Sequence, residues 1–239
     1  TYQGHQSFKL PKVYFESDET FTFSETLFGK QMEELFNQIL LRDSASTVLL
    51  KNHQLKSNSQ TIGEIDFIIE QEGLNALQHI ELAVKFYVYP PGLKHYDIYE
   101  WIGPNRHDRL TDKLDKLFNK QLVLSKYPMV REALGLEEEA FQRIESTFYL
   151  VGMLFIPEGF QWQEKVLNPA SIAGNCYLLH ELQTVMLDYT EAYLPQKVEW
   201  PLALENHTQW QPAETVMEEI KNPANKAGSF MLWLKNETS

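Results

Sequence analysis

The chain has 239 residues, of which 43% are hydrophobic and 23% charged, and its formal net charge is -12 at pH 7. This composition excludes a disordered chain and predicts one folded domain, or one domain with a smaller appendage. Cys176 is the only cysteine, which excludes an internal disulfide and a multi-cysteine metal site and favours a reducing, cytoplasmic location. The longest apolar run, Phe148 to Ile156, is shorter than the roughly 20 residues that a membrane-spanning helix needs, so no membrane association is expected.

The first predicted element is an amphipathic helix that Ser24 caps and that ends near Arg42 and Asp43. Its apolar positions recur at helical spacing: Leu27, Phe28, Met32, Leu35, Phe36 and Ile39. The polar face carries Glu33 and Glu34, which the default interpretation treats as solvated surface charges. A short strand, Thr47 to Leu50, follows, and Gln54 and Leu55 can continue it after a break.

The next two segments, 63–67 and 79–88, alternate apolar and polar residues, as strands do. The polar link between them contains Gly73, so an antiparallel hairpin is the economical connection. A turn about Gly73 and Leu74 makes the numbers of opposed residues sum to 147, which places Asp66 opposite Glu81. The sequence therefore predicts two carboxylates facing each other.

Opposed like charges destabilise a sheet unless something compensates them, and a divalent cation bound through carboxylate oxygens would do so. Lys85 lies on the same face of the second strand as Glu81 and adds a positive charge. Two acids and a lysine on one face suit phosphodiester hydrolysis, in which a cation activates water and an ammonium group stabilises charge. The alternative is an ordinary surface charge cluster, in which Lys85 only pairs with Glu81.

A second helix is predicted after the hairpin, capped by Asn105 or Asp108 and carrying leucines from Leu110 to Leu124. Residues 105–131 hold seven basic and three acidic residues, so this segment is basic within an acidic chain. Its lysines either face solvent or approach the carboxylates. The apolar run 147–156 then predicts a buried central strand, reached by a crossover that permits a parallel neighbour.

Residues 158–239 predict an α+β extension that packs on the same domain. Its expected elements are a helix from Ser171 to Tyr189, a strand from Val198 to Leu204, a helix from Ala213 to Lys221 and a strand from Phe230 to Leu234. Aromatic residues are concentrated in this region: Trp162, Tyr177, Tyr193, Trp200, Trp210 and Trp233. Aromatic side chains of this kind usually pack in a protein core, and the alternative interpretation is that they stack on nucleic-acid bases.

The strings Gly63-Glu64-Ile65-Asp66 and Glu81-Leu82-Ala83-Val84-Lys85 resemble the PD-(D/E)XK nuclease-like superfamily. Within it, the chain is similar to a bacterial family of unknown function marked by GE(L/I)D and ELAVKFY, over about residues 25–157. The resemblance implies an α/β fold with a restriction-endonuclease-like core in residues 1–157: a helix, a three-strand antiparallel meander, a helix and a strand on a mixed sheet.

The resemblance also implies roles for particular residues. Asp66, Glu81 and the backbone carbonyl of Leu82 would hold Mg²⁺ or Mn²⁺, and Lys85 would assist the attacking water. Glu33 matches the acid of a Gly-x-x-x-Glu pattern on the first helix. A polar or basic residue of the second helix, Gln121 or Lys113, would join the site. The chain departs from the superfamily at Ala83, where the pattern has an acid.

The expected function is therefore a metal-dependent nuclease that acts on DNA or RNA. The alternative is a protein of the same fold that has lost hydrolysis and serves as a binding or assembly module. The net charge of -12 weighs against nucleic-acid binding, since such proteins usually present a basic footprint. A protein partner and the oligomeric state are left open by the sequence.

Overall fold

The computed structural model describes residues 6–16, 19–93, 96–161, 167–202, 209–222 and 229–236. The fold is mixed α/β, with a mixed six-stranded sheet, a three-stranded sheet and helices. Two units are distinguished by their internal contacts: the first comprises residues 1–85 and 112–152, and the second comprises residues 86–111 and 153–239. No helix in the described ranges is long and apolar enough to cross a membrane.

The first unit begins with strand β1 (Gln6–Ser7) and helix α1 (Phe28–Arg42). The buried side of α1 carries Phe36 and Leu40, which pack in one hydrophobic cluster with Phe67 of the sheet. Ser24 does not cap the helix as predicted. Leu27 is the N-cap, and Ser24 lies further upstream, where its backbone N–H and hydroxyl both donate to Glu34.

An antiparallel meander follows, made of β2 (Ser46–Ser57), β3 (Gln60–Gln71) and β4 (Gln78–Val88). The pairs formed by β3 and β4, such as Phe67 with Ile80, have numbers that sum to 147, which confirms the predicted register. The predicted first strand was too short. β2 continues through the expected break, where Asn52 adopts a left-handed conformation (φ 49°). The register shifts of the β2–β3 pair lie on either side of it, between Val48 and Leu50 and between Leu55 and Lys56.

The segment after the meander is more broken than the single predicted helix. It consists of α2 (Leu110–Lys116), a π-helical turn (Leu117–Gln121), a 3-10 turn (Leu124–Lys126), α3 (Pro128–Leu134) and α4 (Glu138–Gln142). Gly135 ends α3 in a left-handed conformation (φ 62°), which glycine adopts without a Cβ penalty. The predicted helix start at Asn105 or Asp108 is also too early, because α2 begins at Leu110.

Strand β5 (Glu145–Pro157) returns the chain to the sheet, close to the predicted bounds. The Glu145 N–H donates to the Leu77 carbonyl (2.9 Å), and the Thr147 hydroxyl donates to the His79 carbonyl (3.2 Å). The partner of Thr147 lies two residues after the partner of Glu145, so the two segments run in the same direction and β5 is parallel to β4 at these residues. The strand order is β1-β5-β4-β3-β2, so β5 is central as predicted, although most of its residues are half-buried rather than buried.

The second unit contains the C-terminal part of β5, which pairs in parallel with β6 (Ile172–Cys176), and then α5 (Leu179–Val185). A helix from Ser171 to Tyr189 was predicted, and this prediction was wrong at its start. The extended segment 172–176 pairs with β5 instead, so strand pairing overrides the helical periodicity there.

The remaining elements are β7 (Glu191–Tyr193), β8 (Gln211–Pro212), α6 (Ala213–Lys221) and β9 (Trp233–Lys235), with the sheet order β8-β7-β9. Helix α6 has the predicted bounds. The strand predicted at 198–204 is a 3-10 turn at Lys197–Glu199, and residues 203 and 204 lie outside the described residues. Trp162, among the predicted aromatic residues, also lies outside them, whereas Tyr193 and Trp200 are buried core.

Candidate active site

Asp66 on β3 and Glu81 on β4 form the centre of the candidate site. The observed β3–β4 pairs end at Phe67 and Ile80, and Asp66 and Glu81 are the next residues on the two strands, at positions that the same register would oppose. Both residues are nearly inaccessible to solvent, at 7% and 0% exposure. The Leu82 backbone N–H donates to Asp66 Oδ2 at 2.8 Å, which fixes the aspartate against β4. Leu82 therefore contacts the pair through its amide, and a role for its carbonyl stays a prediction.

Burial changes the acidity of both carboxyl groups. It raises the pKa of Asp66 to about 7, and the neighbouring Glu81 charge raises it further. Burial likewise raises the pKa of Glu81 to about 7, against the opposing effects of hydrogen bonding to Asp66 and of the Lys113 charge. Two interacting acids titrate as a pair, so the site holds a proton close to neutral pH. A bound cation would compensate the same repulsion.

Glu81 is oriented by hydrogen bonds to both of its oxygens. His79 Nε2 lies 2.8 Å from Oε1, and the Gln121 amide donates to Oε2 at 2.6 Å. Gln121 in turn accepts a hydrogen bond from Lys113 Nζ at 3.0 Å. The structure thus brings Gln121 to the carboxylates, as the resemblance implies. It does so from the π-helical turn rather than from a regular helix.

His79 belongs to this site although the sequence analysis did not select it. It is fully buried, and burial lowers its pKa to about 4, so the contact with Glu81 is a hydrogen bond of a neutral imidazole and not an ion pair. Its Nδ1 lies 3.3 Å from Ser146 Oγ, which is 3.0 Å from Ser125 Oγ. The alternation of strand side chains could have predicted this, because His79 and Glu81 are two positions apart on β4 and therefore share a face of the sheet.

Glu33 lies at the edge of the site. Burial and the Glu81 charge are the larger causes of the raised pKa of Asp66, and the Glu33 charge raises this pKa further. Lys30 Nζ lies 2.7 Å from Glu33 Oε2 and 2.8 Å from Glu64 Oε1. The structure therefore places Glu33 next to the pair but binds its carboxylate to Lys30.

Two lysines complete the surroundings. Burial lowers the pKa of Lys113, and the neighbouring Lys85 charge lowers it further, whereas Asp66 and Glu81 act in the opposite direction. Lys85 is half-buried on β4 and lies near Lys113. Ala83, at the position where the superfamily has an acid, is 5% exposed and contributes no ligand atom from its side chain.

The donor set suits a hard cation. Within the described ranges, no group of three or more His, Cys, Asp or Glu side chains is arranged to hold a metal ion. Asp66 and Glu81 nevertheless offer two carboxylates whose mutual repulsion favours a proton or a cation between them, and oxygen ligands are what Mg²⁺ and Mn²⁺ prefer. Further ligands for such an ion would come from backbone carbonyl groups, water or a substrate phosphate.

Residues 7–237 match the family described as DUF1853, a domain of unknown function. Because the match covers nearly the whole chain, the protein belongs to this family. No curated protein and no solved structure matches the chain.

Proposed function

We propose that this member of the DUF1853 family is a metal-dependent nuclease of the PD-(D/E)XK type, which hydrolyses phosphodiester bonds in DNA or RNA. The observation that carries the proposal is the buried pair of Asp66 and Glu81, with a pKa of about 7 for each acid. Buried acids with raised pKa values on adjacent strands are costly to retain, and such groups concentrate at functional sites.

The proposed core is restriction-endonuclease-like. Support comes from the order of α1, the meander β2–β3–β4, the helical segment that begins with α2, and β5 parallel to β4. This order agrees with the one that the motif resemblance implies.

Each residue of the cluster has a role in the proposed reaction. Asp66 and Glu81 would hold Mg²⁺ or Mn²⁺, which when bound supplies Lewis acidity and an activated water. Gln121 keeps the Glu81 carboxylate oriented through its 2.6 Å hydrogen bond. Lys113 would stabilise negative charge on the phosphate, because the Asp66 and Glu81 charges act on it directly. Lys85 would orient the attacking water, because it lies on the same strand as Glu81 and near Lys113. Glu33 would act as a further acid only after release from Lys30.

Charge is distributed in a way that permits a nucleic-acid substrate. The chain is acidic as a whole, but residues 105–131 carry a net charge of +4, which leaves -16 for the rest. Lys116, Lys120 and Lys126 of the first unit are exposed. A basic approach of this kind gives binding that weakens steeply with salt concentration. The single cysteine supports a cytoplasmic location as part of the proposal.

A second candidate is a binding or assembly module that has lost hydrolysis. Two observations favour it: Glu81 is fully buried with both oxygens hydrogen-bonded, and Ala83 replaces the superfamily acid. In such a module the carboxylates would remain as protonated structural groups, and no cation would be required.

A cleavage assay separates the two candidates. Purified protein with Mg²⁺ or Mn²⁺ should cut single- or double-stranded DNA or RNA, and EDTA should stop it. Asp66→Asn and Lys85→Met should each reduce the rate by roughly 100-fold or more, as expected when charge stabilisation at the reaction centre is lost. Glu70→Gln is the matched control, because Glu70 is an exposed acid on the same strand. Cleavage retained in both site variants would exclude the nuclease assignment.

A further inference from the structure

The second unit contains a cavity of about 410 Å³, which lies within the range of small-molecule sites, roughly 300–1,000 Å³. Its walls come from β5, α5, α6 and the segment that leads to β9. The apolar wall includes Phe155, Leu178, Leu182, Ile220, Met231 and Leu234. Such a lining suits the hydrocarbon part of a ligand.

Among the described residues that line the cavity, Arg106 is the only charged one. It is exposed, and its side chain makes no hydrogen bond or ion pair with another described residue. The part of the lining that the structure describes contains no Asp or Glu that would neutralise it. The cavity therefore combines an apolar interior with one positive group.

The backbone at Arg106 is held in place. Arg106 adopts a left-handed conformation (φ 59°), which costs a non-glycine residue on the order of 1 kcal/mol or more. The Arg106 N–H donates to the Gly103 carbonyl (2.8 Å), and the Ser229 N–H donates to the Pro104 carbonyl (3.0 Å). The loop is thus tied to the cavity wall at Ser229, and this fixes the point from which the guanidinium extends.

One part of the wall is polar. Asn175, Cys176 and Tyr177 line it side by side, and the Cys176 thiol donates to the Tyr89 carbonyl at 3.0 Å. Burial raises the pKa of this thiol to about 12, so the reactive thiolate is scarce at neutral pH and alkylation of the thiol is measured under alkaline conditions. We assign no chemical step to it. Because it is the only cysteine of the chain, it serves as a reporter of what enters the cavity.

We propose that this cavity binds a small amphiphilic carboxylate, with its hydrocarbon chain against Leu182 and Ile220 and its carboxylate paired with Arg106. Both halves of this ligand follow from the lining. A guanidinium binds a carboxylate through two parallel hydrogen bonds, and apolar walls take the chain. The inference goes beyond the nuclease proposal and does not depend on it, because no residue of the carboxylate pair takes part.

The test is a calorimetric titration of the 239-residue chain with decanoate below its micelle concentration. We expect one molecule bound per chain, and at least tenfold weaker binding by Arg106→Gln. Arg109→Gln is the matched control and should bind as the wild type does, because Arg109 is exposed on the same loop and bonds to the Tyr99 carbonyl. Decanol should bind at least tenfold more weakly than decanoate, and decylamine should not bind.

Alkylation of Cys176 provides the second readout. Saturating decanoate should slow the reaction of this thiol with N-ethylmaleimide at least fivefold, and Leu178→Trp, which fills the cavity from a partly exposed position, should remove both binding and protection. Asp66→Asn should bind decanoate normally, which separates this proposal from the nuclease. Equal binding of decanol and decanoate, equal loss in both arginine variants, or protection of Cys176 by self-association without ligand would overturn the proposal.

Discussion

The two units bury different kinds of side chain. Asp66, His79, Glu81, Ser125 and Thr147 are all buried in the first unit, whereas no buried Asp, Glu, His, Ser or Thr is described in the second. Burying an ionisable group is costly unless it is paired and hydrogen-bonded. The first unit retains three such groups in contact, and the proposed chemistry rests on them, whereas the proposed amphiphile site of the second unit rests on an apolar lining.

The largest expected effect is a pH-dependent stability that belongs to the first unit. The pKa of Asp66 rises from 3.8 to about 7 on folding, so the folded chain keeps a proton that the unfolded chain has lost. The free energy of unfolding should therefore fall between about pH 4 and pH 7. At pH 8, Asp66→Asn should be more stable than the wild type by up to about 4 kcal/mol, and near pH 4 the two should agree. Urea unfolding at both pH values measures this.

His79 acts in the opposite direction, because its pKa is lowered to about 4, and its contribution to stability is lost as pH falls below 6.5. It is present in both proteins, so its effect largely cancels in the difference between their free energies of unfolding.

The second unit gives the contrast: Leu182→Ala should lower the free energy of unfolding by about 2–5 kcal/mol, equally at pH 5 and pH 8. A stability gain for Asp66→Asn that does not change with pH would contradict this account.

The next effect concerns the buried imidazole. His79→Phe removes the imidazole partner of Glu81 Oε1 and leaves the Ser146 hydroxyl with Ser125, and it should destabilise the fold by about 1–3 kcal/mol. Chemical unfolding at pH 7 measures the change. His180→Phe, at an exposed position of the second unit, should change stability by less than about 0.5 kcal/mol. An equally small effect at His79 would show that its buried hydrogen bonds to Glu81 and Ser146 contribute nothing to folding stability.

The smallest effect is expected in cation affinity. Gln121→Leu removes the hydrogen bond that orients Glu81, and should weaken Mn²⁺ binding about tenfold, as is typical for groups that position a metal ligand. Calorimetric titration with Mn²⁺ at pH 8 tests this. Asn119→Leu is the control, because Asn119 lies in the same π-helical turn and its amide donates to Asp115, which is exposed. Identical affinities in the two variants would remove Gln121 from the site.

Local signals were sufficient for the hairpin and its register. Gly73 and the alternating strands predicted that opposed residues sum to 147, and the observed pair of Phe67 and Ile80 confirms it. Helix α6 was also predicted to its ends. In these segments periodicity and turn chemistry agree with the tertiary structure, so the sequence alone decides the outcome.

Elsewhere the outcome depended on partners that are remote in the sequence. Residues 172–176 become a strand because β5 is available to pair with them. His79 joins the site through its bond to Glu81, and the two residues are held by partners remote in the sequence: Ser146, 67 positions from His79, and Gln121, 40 positions from Glu81. The depth of the carboxylates could not be read from alternation either, since β3 is buried on both faces from Ile65 to Ile69.

The central claim is that Asp66 and Glu81 share a cation-binding site. A crystal soaked in Mn²⁺ at pH 8 tests it directly through anomalous scattering. The account predicts a peak in contact with one oxygen of each carboxylate, and no such peak in Asp66→Asn. Crystals without anomalous density there, in which Asp66 and Glu81 keep their hydrogen bonds to Leu82, His79 and Gln121, would contradict it.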